Sequence, residues 1–321
     1  MSSEGLIEYE QKRLPSYTGR THDNRAQVLN NWLTFIEEKD LDPDEVSKDD
    51  VAVWLRWLRD ERGHAHSTIA QNLMELKSVY NWIVEKELGE SACDGITKDE
   101  DYPWLNSSPE KVKNSAEGVT YVDKEGYGTM LRNCESMREE IVVRSLAELG
   151  VRRIELSWLQ LDSFDLDNNS VIIKTAKRYD EDGNNLFLPG FYSTQYGLKL
   201  KKWIAGERKG WVSGIEEGSE YLVTGHSIPA IRPGEVTEIV RDVADRADIQ
   251  AYNDDAMGRD WAQVTPQALR HSYGVWRAKA GMPLSQLSRL MRHADIQTTY
   301  DYYLRFANED LKDAYDEHYP F

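Results

Sequence analysis

Residues 290–302 read Leu-Met-Arg-His-Ala-Asp-Ile-Gln-Thr-Thr-Tyr-Asp-Tyr. Three earlier segments belong with them: residues 149–156, Leu-Gly-Val-Arg-Arg-Ile-Glu-Leu; residues 171–178, which carry Lys174 and Lys177; and residues 265–271, Thr-Pro-Gln-Ala-Leu-Arg-His. Together they hold the parts that phosphodiester exchange without a metal needs. Paired guanidinium N–H groups suit a dianionic transition state. A tyrosine hydroxyl attacks phosphorus and keeps the bond energy in a covalent link. A lysine ammonium protonates the leaving oxygen. No carboxylate cluster suited to magnesium accompanies them, which disfavours a two-metal nuclease. The seven histidines show no metal-ligand spacing.

In order and spacing the segments resemble the tyrosine recombinase (phage integrase, Xer-like) family. The family's first box runs Gly-Leu-Arg-x-x-Glu-Leu, and residues 150–156 depart from it only at Val151. Its second box is commonly Thr-Pro-His-x-Leu-Arg-His, and here Gln267 takes the histidine position. Against its last box, Leu-Gly-His-x-x-Ile-x-Thr-Thr-x-x-Tyr, residues 291–302 give Met-Arg-His-Ala-Asp-Ile-Gln-Thr-Thr-Tyr-Asp-Tyr. The resemblance extends over residues 119–315, and more loosely over 20–95. Any one box is a weak signal; three in order, with a hairpin lysine between the first two, are specific.

The resemblance implies that Arg152 and Arg270 bind the phosphate, that His293 is a third hydrogen-bond donor, and that Tyr302 is the nucleophile. Tyr300 comes too early, and Tyr303 projects elsewhere on a helix. Lys177 is the expected general acid, by its spacing from Arg152 and its place at the strand end; Lys174 is the alternative. Glu155, at i+3 from Arg152, supports the site rather than reacting, and His271 is grouped with it. Gln267, at i−3 from Arg270, is expected to face the same phosphate. It can donate a hydrogen bond but cannot shuttle a proton at neutral pH. His271 projects about 100° further round the helix and does not simply replace it.

The implied reaction forms a 3′-phosphotyrosyl link on double-stranded DNA and needs no cofactor and no metal. A partner strand's 5′-hydroxyl then reverses it, which implies a homo-tetramer on two DNA sites. Residues 315–321 are the candidate segment for docking on a neighbouring protomer. Two rival readings stay open. One is a type IB-like topoisomerase that relaxes DNA without partner exchange. The other is a DNA-binding relative with weakened catalysis, for which Gln267 is the only support.

The fold expected is mostly α with a small antiparallel β-sheet. An all-α N-terminal core-binding (SAM-like) domain precedes an α/β catalytic domain, the pair forming a clamp around duplex DNA. Residues 1–19 read as an arm without periodicity, 20–95 as the all-α domain, 96–118 as a linker and 119–321 as the catalytic domain. Apolar residues at helical spacing mark helices over 24–38, 49–62 and from Ser67 or Thr68 to near Gly89. Short apolar runs around Val171–Ile173 and Leu186–Leu188, with a turn-rich stretch between, read as a loose hairpin. Helices follow over 194–206, 234–247, 266–280, 283–291 and 295–315. For DNA contact the candidates are His64, His66, Ser67, Thr68, Gln71, Asn72 and Lys77 at the start of the third helix. In the catalytic domain they are Lys199, Lys201, Lys202, Arg208 and Lys209.

The 321 residues include 39 basic and 56 acidic side chains, for a net charge of −17. That sum opposes nucleic-acid binding, yet binding depends on where the positive charges sit. An acidic surface is also what halophile proteins show, so a salt-rich, haloarchaeal cytoplasm is expected. Cys93 and Cys134 have no metal spacing and read as free thiols of a reducing compartment. No apolar stretch approaches the roughly 20 residues that span a bilayer, and the acidic start has no signal-peptide core. The protein is therefore expected to be cytoplasmic, with no membrane association.

Overall fold

The computed structural model describes residues 2–17, 19–105, 119–216, 218–254 and 260–307. The chain divides into two compact units, one built on residues 1–117 and the other on residues 118–253 and 260–321.

The first unit is all-α. α1 is Ser2–Glu8, α2 Gly19–Glu38, α3 Lys48–Asp60, α4 His66–Glu85 and α5 Lys98–Asp101. α3 is started by Ser47, whose backbone N–H and hydroxyl both donate to Asp50, at 2.9 and 2.7 Å. The predicted apolar stripe of α4 (Ile69, Leu73, Leu76, Val79, Tyr80 and Ile83) is buried throughout. Trp32 lies at the centre, edge-on to Trp54 at 5.3 Å, its Nε1 donating to the Tyr80 hydroxyl at 3.1 Å.

The structure corrects two readings here. The expected arm is helical, and Leu6, Tyr9 and Leu14 are part of the core. Its signal was hidden because a π-helical turn, Tyr9–Arg13, follows α1 directly and moves the apolar residues off a 3.6-residue period. The start of the expected linker is packed too. α5 and a 3₁₀ turn at Pro103–Leu105 bring Ile96, Tyr102 and Leu105 into the same core. Residues 106–118 lie outside the described residues.

The second unit begins with α6, Lys124–Arg132, α7, Met137–Leu149, and the one-turn α8, Arg153–Ser157. β1 (Phe164–Asp165), β2 (Ser170–Tyr179) and β3 (Asn185–Phe191) then form an antiparallel sheet in that order. The register pairs Ile173 with Leu188 and Lys174 with Phe187, and breaks between Lys174 and Tyr179. Val171, Ile173 and Thr175 face inward, while Ile172 and Lys174 face out. α9 (Thr194–Ala205), α10 (Arg208–Val212) and α11 (Pro233–Arg246) follow. A second, two-stranded sheet of β4, Tyr252–Asp254, and β5, Asp260–Ala262, was not anticipated; three-residue strands are too short to show alternation. The chain continues through α12 (Pro266–Lys279), α13 (Leu284–Leu290) and α14 (Ile296–Ala307). Residues 308–321, including the segment expected to dock on a neighbour, lie outside the described residues. α12 is the spine of this unit. Leu269 belongs to the main core, whereas Tyr273 and Val275 belong to a smaller one shared with Leu287, Met291 and Tyr303.

Leu6→Ala separates a packed N-terminus from a solvated arm. Removal of this 2% exposed side chain should destabilise the first unit by about 2–5 kcal/mol in urea unfolding. A change near zero would show that the segment is an arm after all.

Candidate active site

Each part of the site is placed by a local signal. α7 ends at Gly150, which is left-handed at φ +58°. A Cβ there would lie 2.7 Å from the Tyr273 ring, so both conformation and space demand glycine. Arg152 is the N-cap of α8, and Glu155 reaches back to accept from its backbone N–H at 2.8 Å. α12 starts at Thr265, whose hydroxyl accepts from the Ala268 N–H at 3.2 Å, with Pro266 in the first turn. That start turns Arg270 inward, 2% exposed. After α13 the chain passes Met291 to Arg292, left-handed at φ +57°, and then to His293.

The buried Glu155 carboxylate is where the four segments meet. Oε1 accepts from Arg152 Nη1 at 2.7 Å and from the Ala176 backbone N–H at 3.1 Å. Oε2 lies 3.5 Å from Arg270 Nη1 and 3.8 Å from Arg292 Nε. Burial alone would raise this carboxyl, but the Arg270, Arg292 and Arg152 guanidiniums outweigh it and hold it below the usual carboxylate range. Arg270 also donates to the carbonyls of Gly150, at 2.5 Å, and Met291. Burial pushes it down to about 9, with Arg152 adding and Glu155 opposing, so it stays charged at neutral pH. The Arg152 side chain is 19% exposed and reaches towards solvent, where an anion can approach.

His293 is 9% exposed, with Nδ1 hydrogen-bonded to Thr299 Oγ1 at 2.7 Å. Burial, then the Arg270 and Arg152 charges, push its pKa down to about 3, so the imidazole is neutral. Where the Thr299 hydroxyl donates to Nδ1, Nε2 carries the proton and can donate. Tyr302 is 42% exposed on α14, and its ring lies 5.2 Å from that of His271. Tyr303, the next residue, is fully buried; its ring lies 6.0 Å from that of His271 and its hydroxyl 2.8 Å from His271 Nδ1. His271 itself is neutral, pushed down to about 4 by burial and the Arg270 charge.

Gln267 differs from expectation. It lies on the exposed side of α12, with its Nε2 3.0 Å from His271 Nε2, while Arg270 is buried. Its partner is at i+4 rather than i+3. The structure thus joins Gln267, His271 and Tyr303 in one hydrogen-bonded row beside Tyr302. The i, i+4 spacing was the available signal. Arg292 was also missed; its signal was a charged residue at the position of the family's glycine.

For the hairpin lysines, the Ala176–Glu155 bond fixes the backbone beside Lys177 on the arginine cluster. Lys174 lies over the Trp158 ring, 5.3 Å from its centroid. The DNA-contact candidates separate into two kinds. Ser67, Thr68 and Gln71 are exposed on the first turns of α4. His64 is half-buried, and His66 packs edge-on against Trp104 at 5.2 Å. Lys77 is spent within the fold, donating to the Ile96 carbonyl at 2.5 Å, and Asn72 is turned inward to the Thr68 carbonyl. In the second unit Lys201 and Lys202 are exposed. Lys199 pairs with Glu140 at 2.8 Å, and Arg208 is buried against the carbonyls of Ser219 and Tyr221. Lys77 and Arg208 are therefore corrections: each was expected on the surface, and folding turns each inward onto backbone carbonyls of its own unit. Among the described residues no group of His, Cys, Asp and Glu is arranged to hold a metal, and no helix is long and apolar enough to cross a membrane.

The Phage integrase family profile matches residues 121–309, and that of the phage integrase N-terminal SAM-like domain matches residues 8–90. The chain is 20% identical to tyrosine recombinase XerA of Saccharolobus solfataricus over 293 residues, covering 90% of this chain and 84% of that protein. It is 22% identical to tyrosine recombinase XerD of Oceanobacillus iheyensis over 297 residues, covering 91% and 89%. Its fold is similar to that of the Tn1549 transposon integrase in complex with transposon right end DNA, with a TM-score of 0.70, 14% identity and 99% of each chain covered. It is also similar to the XerH site-specific recombinase bound to a palindromic difH substrate, with a TM-score of 0.67, 15% identity and 92% and 78% covered.

The two neutral histidines make stability depend on pH. Below the ordinary value of 6.5 the unfolded chain takes up protons that the folded site refuses until about pH 4 at His271 and about 3 at His293. Stability should therefore be full above about pH 6.5 and fall as the pH drops, by at most about 1.4 kcal/mol per pH unit for each histidine. Urea unfolding at pH 7, 6 and 5 measures the slope. Equal stability at all three would show that the imidazoles titrate normally.

Proposed function

Because the chain belongs to the phage integrase family, we propose that it is a site-specific recombinase that cleaves and rejoins DNA through a 3′-phosphotyrosyl intermediate. The observation that carries this reading is the Glu155 cluster, which draws Arg152, Arg270, the hairpin backbone beside Lys177 and the turn before His293 to one point. In this reading Arg152, Arg270 and the Nε2–H of His293 bind the non-bridging oxygens of the scissile phosphate. The Tyr302 hydroxyl, 42% exposed, gives up its proton to water as its oxygen bonds to phosphorus, and the bond to the 5′-oxygen breaks. Lys177 gives that oxygen its proton. The 5′-hydroxyl of a partner strand reverses the step, so the phosphodiester energy is conserved and neither a metal nor a cofactor is called for. Gln267 stands in the histidine position as a donor only, oriented by His271.

We further propose that both units contact duplex DNA and that the protein acts as a tetramer on two sites, with Ser67, Thr68, Gln71, Lys201 and Lys202 among the phosphate contacts. The net charge of −17 supports a salt-rich cytoplasm as the working environment.

Covalent trapping tests the reading. The protein is incubated in molar KCl with DNA nicked just beyond the candidate cleavage position. A denaturation-resistant adduct should form and should vanish in Tyr302→Phe. Gln267→His should keep or raise the rate; a loss beyond about a hundredfold, roughly 2.7 kcal/mol of barrier, would show a site built around glutamine. Binding without any adduct would favour the catalytically weakened relative, and best activity at low salt would remove the halophilic assignment. A bridging 5′-phosphorothiolate separates the lysines, since a thiolate leaves without a proton. Lys177→Ala should be slow on ordinary DNA and recover on the sulfur substrate. Recovery by Lys174→Ala instead would move the acid to Lys174.

A further inference from the structure

Arg292 has no exposed surface and sits at φ +57°, a left-handed backbone that side-chain-bearing residues rarely adopt. A buried cation on a strained backbone persists only where the surroundings hold it. What holds Arg292 is specific. Nη1 donates to the Leu290 carbonyl at 2.6 Å. Nη2 donates to the carbonyls of Leu149 and Gly150, at 3.0 and 2.8 Å. Nε faces Glu155 Oε2 at 3.8 Å. The Gly150 carbonyl is shared with Arg270 Nη1, so one carbonyl and one carboxylate oxygen each meet two guanidiniums.

We propose that Arg292 is a positioning residue of the active site: it ties the turn before His293 to the Gly150 turn and, through Glu155, fixes Arg152 and Arg270. This rests on the recombinase reading of the site. Arg292 stands at the family's glycine position rather than at a phosphate-binding one, and its guanidinium has no exposed surface, so its part is assigned to Glu155 rather than to the phosphate. It acts through Glu155. The groups facing that carboxylate are Arg152 from its own turn, the Ala176 N–H from β2, Arg270 from α12 and Arg292 from the turn after α13. Without Arg292, Glu155 keeps its burial but loses one of three cations. Its protonation then moves to higher pH, and a protonated Glu155 no longer holds Arg152 by charge.

The test uses the full chain. Arg292→Gly removes the guanidinium while keeping a residue that the left-handed backbone accepts. Adduct formation on nicked DNA is followed from about pH 3 to 8, with DNA binding and urea unfolding measured alongside. Arg292→Gly should bind DNA within about threefold of the parent and cleave it at least about tenfold more slowly. The acid limb of its rate should lie about half a pH unit or more above the parent's, and the acid loss of stability should move up with it. Arg292→Lys, which restores charge without the guanidinium fork, should return the acid limb but not the rate. Adding Glu155→Gln should abolish the difference in pH profile. Parental cleavage by Arg292→Gly would overturn the proposal, as would a loss of folding and activity together with the acid limb unmoved. A parent that forms no adduct while the unfolding profiles still diverge would sink the recombinase reading and leave the Arg292–Glu155 coupling standing. Coincident unfolding profiles would overturn the coupling whatever the parent's activity.

Discussion

The burial of one carboxylate, Glu155, constrains everything around it. An ionised carboxylate without partners would cost several kcal/mol in the interior. Here it is met by Arg152, Arg270, Arg292 and a backbone N–H of β2. Each partner comes from a different stretch of chain, so the requirement to compensate this charge brings distant segments into register. Gly150 belongs to the same constraint. Its left-handed turn ends α7, aims its carbonyl at two guanidiniums and leaves room for the Tyr273 ring.

The cluster also has an electrostatic consequence. Three guanidiniums face one carboxylate, and the two histidines beside them are neutral, so the site keeps an excess of positive charge inside a chain of net charge −17. Local placement, not the sum, decides what the site attracts. Several cations elsewhere in the second unit show the opposite arrangement. Arg144 is bound by Glu140 and Glu148, Arg138 by Glu235 and the Thr224 carbonyl, and Lys199 by Glu140. Those charges are spent on holding helices together.

A second organising feature is the row Gln267, His271, Tyr303, which runs from the exposed side of α12 to the buried side of α14. Tyr303 packs so closely on α12 that a Cβ at Gly274 would lie 2.5 Å from its ring. The row thereby fixes the rotation of α14. With Tyr303 turned inward, the next residue back, Tyr302, is turned outward beside the His271 ring. Adjacent positions on one helix thus give one tyrosine held in the core and one open to solvent.

Much of this was legible in the amino-acid sequence. Helical periodicity gave the core faces of α2, α3 and α4. Short apolar runs gave the β2–β3 hairpin. The resemblance of three boxes to one family singled out Arg152, Glu155 and Arg270, which the fold brings together, because the order and spacing of such boxes are properties of the chain itself. Other features were decided only in three dimensions. The N-terminal segment joins the core through a π-helical turn that no regular period describes. Lys77 and Arg208 look like surface cations until folding brings carbonyls from Ile96, Ser219 and Tyr221 to them. Gln267 turns to His271 rather than alongside Arg270, and Arg292 becomes a brace rather than a surface charge. In each case the partner lies across a turn or far along the chain, and only packing determines which donor reaches which acceptor once water is excluded.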